Sequence, residues 1–137
     1  MRGSRAVLGR AVIDSTLYWL HAATADEAAY LVAIMNAPSM MKAFEHSRES
    51  GRDFHKHPWK KIPIKRFDAD NREHAELATL TELAEEMLAN WFDRSENAHL
   101  KLGQVGWSAR IRDFLTRQGV LPEIDLICRK LFPRQAV

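Results

Sequence analysis

His55 and His57 stand on either side of Lys56 in the stretch FHKHPWKKIPIKRFD, residues 54–68. On an extended chain alternate residues share a face, so both imidazoles point the same way, which is half of a metal site. The other half is missing from the pattern. No HExxH, CxxC or acidic cluster accompanies the pair, and Lys56, Lys60 and Lys61 put positive charge where a divalent ion would sit. No metal is expected on those grounds. The same stretch suits an anionic ligand better. Between Gly51 and Arg66 six cations (Arg52, Lys56, Lys60, Lys61, Lys65 and Arg66) face one anion, Asp53. Cations on an extended backbone contact phosphates, and Trp59 offers a ring to stack on an unpaired base. An edge strand guarded by lysines against aggregation has the same composition, and the residues by themselves leave both readings open.

Other candidate chemistry is weaker. Cys128 lies in an apolar helical stripe with Ile124, Ile127 and Leu131, where a buried, unreactive thiol is the usual outcome. Ser47 follows His46, but no nucleophile-elbow pattern surrounds it. Glu82, Glu85 and Glu86 fall mostly on the polar side of a helix, where solvated carboxylates are expected. The tetrapeptide NAPS, Asn36 to Ser39, compares poorly with the (Asn/Asp/Ser)-Pro-Pro-(Tyr/Phe) motif of amino-methylating enzymes. Ala37 replaces the first proline and Ser39 supplies no stacking ring, so a helix stop is the better reading. No glycine-rich turn joins a strand to a helix to cradle a nucleotide cofactor. A complete methyltransferase is therefore excluded, and neither a catalytic residue nor a cofactor is expected.

The elements that must position these residues belong to a chain the size of one ordinary domain. Its 137 residues, 46% hydrophobic and 28% charged, can bury a core without a metal or disulfide. A net charge of +2 is too small to imply a nucleic-acid partner, so any such inference rests on how the charge is distributed. The single cysteine excludes an intramolecular disulfide and fits a reducing compartment. Arg10 interrupts the first apolar run, and AAYLVAIM at 28–35 is too short to span a bilayer, so no export or membrane segment is visible and the cytoplasm is expected.

Residues 11–22 are rich in β-branched and aromatic types and read as one or two short strands. Thr24 and Glu27 have the spacing of a capping box for a helix through DEAAYLVAIM, which Pro38 ends or restarts. Ser39 is placed to cap a second helix, with Gly51 as its stop. Pro58 and Pro63 make 54–66 an edge strand or extended loop. Asp70 or Asn71 then caps a long helix whose apolar stripe runs through Leu77, Leu80, Leu83, Ala84, Met87, Leu88 and Trp91. After a glycine-containing break, Ser108 is placed to cap ARIRDFLTRQ, Gly119 closes it and Pro122 opens PEIDLICRKLF, giving a helical hairpin. Trp91 and Trp107 are expected to pack that hairpin on the long helix. From Asp68 to Glu96 nine anions oppose two cations, so the acidic helix either neutralises the basic stretch before it or points away from it.

The ordered series LYWLHAATADEAAYLVAIMNAPSMMKAF and GRDFHKHPWKKIPIKRFDADNREHAELATLTELA resembles the C-terminal part of bacterial N6-adenine DNA methyltransferases of restriction-modification and phage-defence systems. The resemblance covers roughly residues 12 to 92. It is carried by Tyr30, Leu31 and Asn36, by Arg52, Asp53, Phe54, His55 and Pro58, by Ile62, Pro63, Ile64, Phe67 and Asp68, and by His74, Leu77 and Ala78. Lys65 stands where the family often has a second proline. The resemblance implies a target-recognition-like region that holds double-stranded DNA while a separate catalytic subunit methylates adenine.

The expected architecture is α+β: a helix-rich single domain with a small antiparallel sheet, in which the N-terminal strand pairs with Lys61–Arg66, and a C-terminal helical hairpin. Residues 1–100 form the target-recognition-like part and 101–137 the hairpin packed on it. The expected function is non-catalytic DNA binding, associated with adenine-specific methylation and restriction. Its candidate contacts are Arg52, His55, Lys56, His57, Trp59, Lys60, Lys61, Lys65 and Arg66. The competing class is a helical protein-protein interaction module that binds no DNA.

Overall fold

A computed structural model describes residues 21–46, 62–94 and 101–134. Five helices occupy them: α1 (Ala25–Asn36), α2 (Pro38–His46), α3 (Arg72–Phe92), α4 (Gln104–Arg117) and α5 (Val120–Leu131). They take up 73% of these residues, and no strand occurs among them. The expected antiparallel sheet is therefore corrected to an all-helical arrangement. The physical reason lies in residues 62–68, which have no regular secondary structure and bond to helix side chains, with no strand beside them among the described residues; most of the expected N-terminal strand, residues 11–20, lies outside those. Tyr30 Oη donates to the Lys65 carbonyl at 3.0 Å, Phe67 N donates to Glu27 Oε2 at 3.4 Å, and Asp68 N donates to His74 Nδ1 at 3.1 Å. Pro63 has no N–H to place. The segment is a strap laid over α1 and α3, with Ile62 buried and Ile64 and Phe67 half-buried against the core.

Local signals explain most helix ends. Thr24 has extended backbone, and its hydroxyl accepts from Glu27 N at 3.0 Å. The reciprocal arm of the capping box reaches one residue further back than expected, because Glu27 Oε1 accepts from Ala23 N. Asn71, not Asp70, caps α3 by accepting from His74 N at 3.1 Å. Gly119, at φ 81°, makes the left-handed turn between α4 and α5 that a residue with a Cβ adopts only under strain. Pro122 sits in the first turn of α5, where its missing N–H has no helical acceptor to lose.

Two ends differ from expectation. Helix α4 begins at Gln104 behind Gly103, so Ser108 lies inside the helix and caps nothing. Helix α2 begins with Pro38 as its first residue, and Ser39 takes its cap from α5: Asp125 Oδ1 accepts from Ser39 N at 2.8 Å and from Ser39 Oγ at 2.6 Å. Ala37 links α1 to α2 in the extended conformation that a following proline imposes.

Small residues set the central packing. Ala29 and Ala33, one turn apart on α1, are fully buried and let α3 come close enough for Thr81 Oγ1 to donate to the Ala29 carbonyl at 2.7 Å. The same hydroxyl lies 3.1 Å from the Leu77 carbonyl within its own helix, so one proton is shared between two acceptors. Tyr30, Ile34, Met40 and Leu77 fill the core, and Ile124, Ile127 and Cys128 of α5 belong to the same cluster. Trp91 joins α4 to the end of α3. Its ring stacks on Phe114 at 5.1 Å and meets Trp107 edge-on at 6.2 Å, as the two tryptophans flanking the glycine break had suggested.

Asp125→Ala uncaps α2 and is expected to lower the unfolding free energy by about 1–2 kcal/mol. Thr81→Val, nearly isosteric, is expected to lower it by about 1 kcal/mol. Urea midpoints at neutral pH measure both.

Candidate functional site

Of the nine sequence-predicted contacts, Lys65 and Arg66 lie on the described strap; Arg52, His55, Lys56, His57, Trp59, Lys60 and Lys61 lie outside the described residues. The two differ in what they offer a ligand. Lys65 is exposed, its carbonyl held by Tyr30, and its ammonium meets no carboxylate among the described residues. Arg66 is 77% exposed, yet its guanidinium lies 3.2 Å from Glu27 Oε1, so part of its charge is committed to the fold. Among the described residues no carboxylate of the acidic helix α3 pairs with either cation, and Glu82 and Glu86 face solvent.

Beneath the strap lies a set of buried polar groups. Glu27, only 7% exposed at its side chain, accepts from Ala23 N and Phe67 N and pairs with Arg66. The Ala23 hydrogen bond, helped by Arg66 and Phe67 and opposed by burial, holds its carboxyl below the ordinary value. His74 packs between Tyr30, at 4.6 Å, and Phe67, at 6.3 Å between ring centres. Burial pushes its imidazole below the ordinary value of 6.5, against Asp68 and Glu73, which act to raise it. Burial likewise pushes the Tyr30 hydroxyl up to about 12, so it remains a donor to the strap.

A cavity of about 350 Å³ opens beside these groups, lined by Tyr30, Pro63, Lys65, His74, Phe132 and Arg134 among others. A second and larger hollow, about 600 Å³, lies at the opposite end of α3 between that helix and α4. Its charged lining consists of Arg94, Arg110 and Arg117 with Asp113 as the one acid, and Asp113 is taken up by its ion pair with Arg117. The stacked Trp91 and Phe114 rings form its floor.

Sequence reasoning missed this arginine hollow. Arg110 and Arg117, seven residues apart, share a face of α4, and that spacing was a usable signal. Arg94 joins them only because the aromatic contact folds α4 back on the end of α3.

Other candidates resolve simply. Cys128 is fully buried, and burial, followed by the nearby Asp125 charge, pushes its thiol up to about 12, so it is no nucleophile. No group of three or more metal-ligating side chains occurs among the described residues; the His55–His57 pair and Ser47 lie outside them. No helix of the described residues is long and apolar enough to cross a membrane. No family model, no curated protein and no solved structure matches the chain.

The buried groups give stability a defined pH dependence. His74 is held neutral in the fold, so the unfolded chain binds the extra proton and stability falls as pH drops below about 6.5. Glu27 is held ionised, so its contribution is complete above pH 4.5 and is lost as pH falls through its lowered folded value. Thermal midpoints are expected to fall in two stages on acidification, with His74→Phe removing the first and Glu27→Gln weakening the second.

Proposed function

We propose that this chain is a non-catalytic DNA-binding module of the target-recognition type, acting beside a methyltransferase catalytic subunit in adenine-specific DNA methylation or restriction. The observation that carries the polyanion reading is the excess of cations in the arginine hollow: among the described residues Arg94, Arg110 and Arg117 line it beside Trp91 and Phe114, against one carboxylate, Asp113, which pairs with Arg117. Arginine forks match phosphate oxygens in pairs, and neutralising phosphates releases condensed counterions, a sequence-independent source of affinity. The basic stretch 51–66 adds six cations to one anion, and its last two, Lys65 and Arg66, are exposed. Glu82 and Glu86 are exposed, and a surface that carries both signs of charge favours some orientations on a polyanion over others. The tie to adenine methylation comes from the ordered motifs of the strap and its flanking helices. No catalytic step is assigned to the module; the chemistry belongs to its partner.

Fluorescence anisotropy with a labelled duplex tests the reading. Binding at about 50 mM salt is expected to weaken steeply as salt rises. Arg110→Glu with Arg117→Glu is expected to reduce affinity by a factor of about 10 to 100 and to flatten the salt dependence by roughly two phosphate contacts. Lys60→Glu with Lys61→Glu is expected to weaken binding too. A duplex that leaves anisotropy unchanged, in a chain that light scattering shows to self-associate regardless of salt, would replace this reading with the protein-interaction module.

A further inference from the structure

The cavity beside the strap has a polar lining of one kind. His74 is 4% exposed and lines it, and its Nδ1 is occupied in accepting from Asp68 N. A neutral imidazole that accepts at Nδ1 carries its proton on Nε2. Nothing among the described residues accepts from that Nε2–H, so a residue that is buried and lines the cavity keeps one donor unmatched. Such a group costs free energy unless a ligand or solvent meets it. Asn71 also lines the cavity; its Oδ1 accepts from His74 N, and its amide N–H groups meet no acceptor among the described residues. Lys65 and Arg134 complete the polar lining, and neither has an ion pair among the described residues. The nearby carboxylates of Asp68 and Glu73 do not line the cavity.

Two unmatched donors and two cations with no acidic counterpart call for a ligand rich in acceptors and negatively charged. The rest of the described wall is mainly rings and apolar side chains: Tyr30, Pro63, Leu131, Phe132 and Pro133. Flat apolar surfaces next to a buried donor accommodate a heteroaromatic ring better than a bare inorganic anion. A volume of about 350 Å³ is the size of a small-molecule site. We propose that this cavity binds a nucleoside monophosphate, with its base against Pro63, Phe132 and Pro133, a ring acceptor on His74 Nε2–H, and its phosphate between Lys65 and Arg134. The site stands independently of the arginine hollow at the other end of α3.

Calorimetric titration of the full chain with adenosine 5′-monophosphate, alongside ¹H–¹⁵N shift mapping, tests this. Saturable binding is expected, with shifts at Lys65, His74 and Arg134. Lys65→Glu and Arg134→Glu, both at exposed positions, are each expected to weaken binding on the order of tenfold or more. His74→Phe retains the aromatic ring but removes both the Nε2–H donor and the Nδ1 acceptor of Asp68 N, and is expected to weaken binding as well. Adenosine and inorganic phosphate are each expected to bind far more weakly than the nucleotide. If adenosine binds equally well the phosphate site is wrong, and if inorganic phosphate does so the base site is wrong. No saturable binding, unchanged affinity in the Arg134 variant, or shifts confined to Arg110 and Arg117 overturn the proposal. A 5′-phosphorylated single strand that binds more tightly than the free nucleotide, and loses that affinity in the same variants, identifies a strand end as the source of the nucleotide. Duplex binding without nucleotide binding removes this site and leaves the DNA reading; nucleotide binding without duplex binding does the reverse.

Discussion

Seven residues of irregular chain, with no partner strand among the described residues, set the central constraint on this molecule. Peptide groups brought against a core need hydrogen bonds, and residues 62–68 cannot supply them to each other. Three side chains from two helices meet the need. Tyr30 donates to Lys65, Glu27 accepts from Phe67 and His74 accepts from Asp68, so each side chain must be held in one protonation state. A charged His74 could not accept at Nδ1, and a neutral Glu27 would lose the attraction of Arg66. Charge states set by burial at Tyr30 and His74, and by hydrogen bonds and Arg66 at Glu27, thus hold the strap, and the strap in turn covers α1 and α3.

The same economy appears at the helix ends. Asp125 is an α5 residue that serves α2, and burial of its carboxylate is offset by Ser39 N, Ser39 Oγ and Arg129, which together keep it ionised. Thr81 is an α3 residue that reaches a backbone carbonyl of α1 through a gap left open by two alanines. Polar contacts of this kind register helices against one another more narrowly than apolar packing does, because each has one acceptable geometry while leucines tolerate several.

Polar groups in the fold therefore divide into two sets. Glu27, Tyr30, Thr81 and Asp125 are spent on holding elements together. At the two ends of α3 charge and donors collect in hollows: three arginines beside Trp91 and Phe114 at one end, and the Nε2–H of His74 with Lys65 and Arg134 at the other. With α3 spanning about 31 Å, the two sites are well separated. His74 belongs to both sets, since one ring nitrogen secures the strap and the other remains to be matched.

Much of this was legible in the residues, for a physical reason. Thr24, Asn71 and Gly119 act through hydrogen bonds or backbone angles within a turn of their own positions, and the stripe from Leu77 to Trp91 needs only helical periodicity. Pro63 correctly marked 62–66, the described end of the expected 54–66 segment, as non-helical, but that does not reveal whether a strand or a set of side chains receives its hydrogen bonds, and the expected sheet failed on that point. Ser39 looked like a cap because its type and position fit one; its acceptor came from 86 residues away. Lys65 and Arg66 were visible as charge, whereas the matching of Arg66 to Glu27 was not. By itself the sequence determined the run of helices, the local caps at Thr24, Asn71 and Gly119 and the blocks of charge, since these depend on neighbours in the chain. Only tertiary structure decided which polar groups were consumed and which were left for a ligand, because that is settled by partners tens of residues apart.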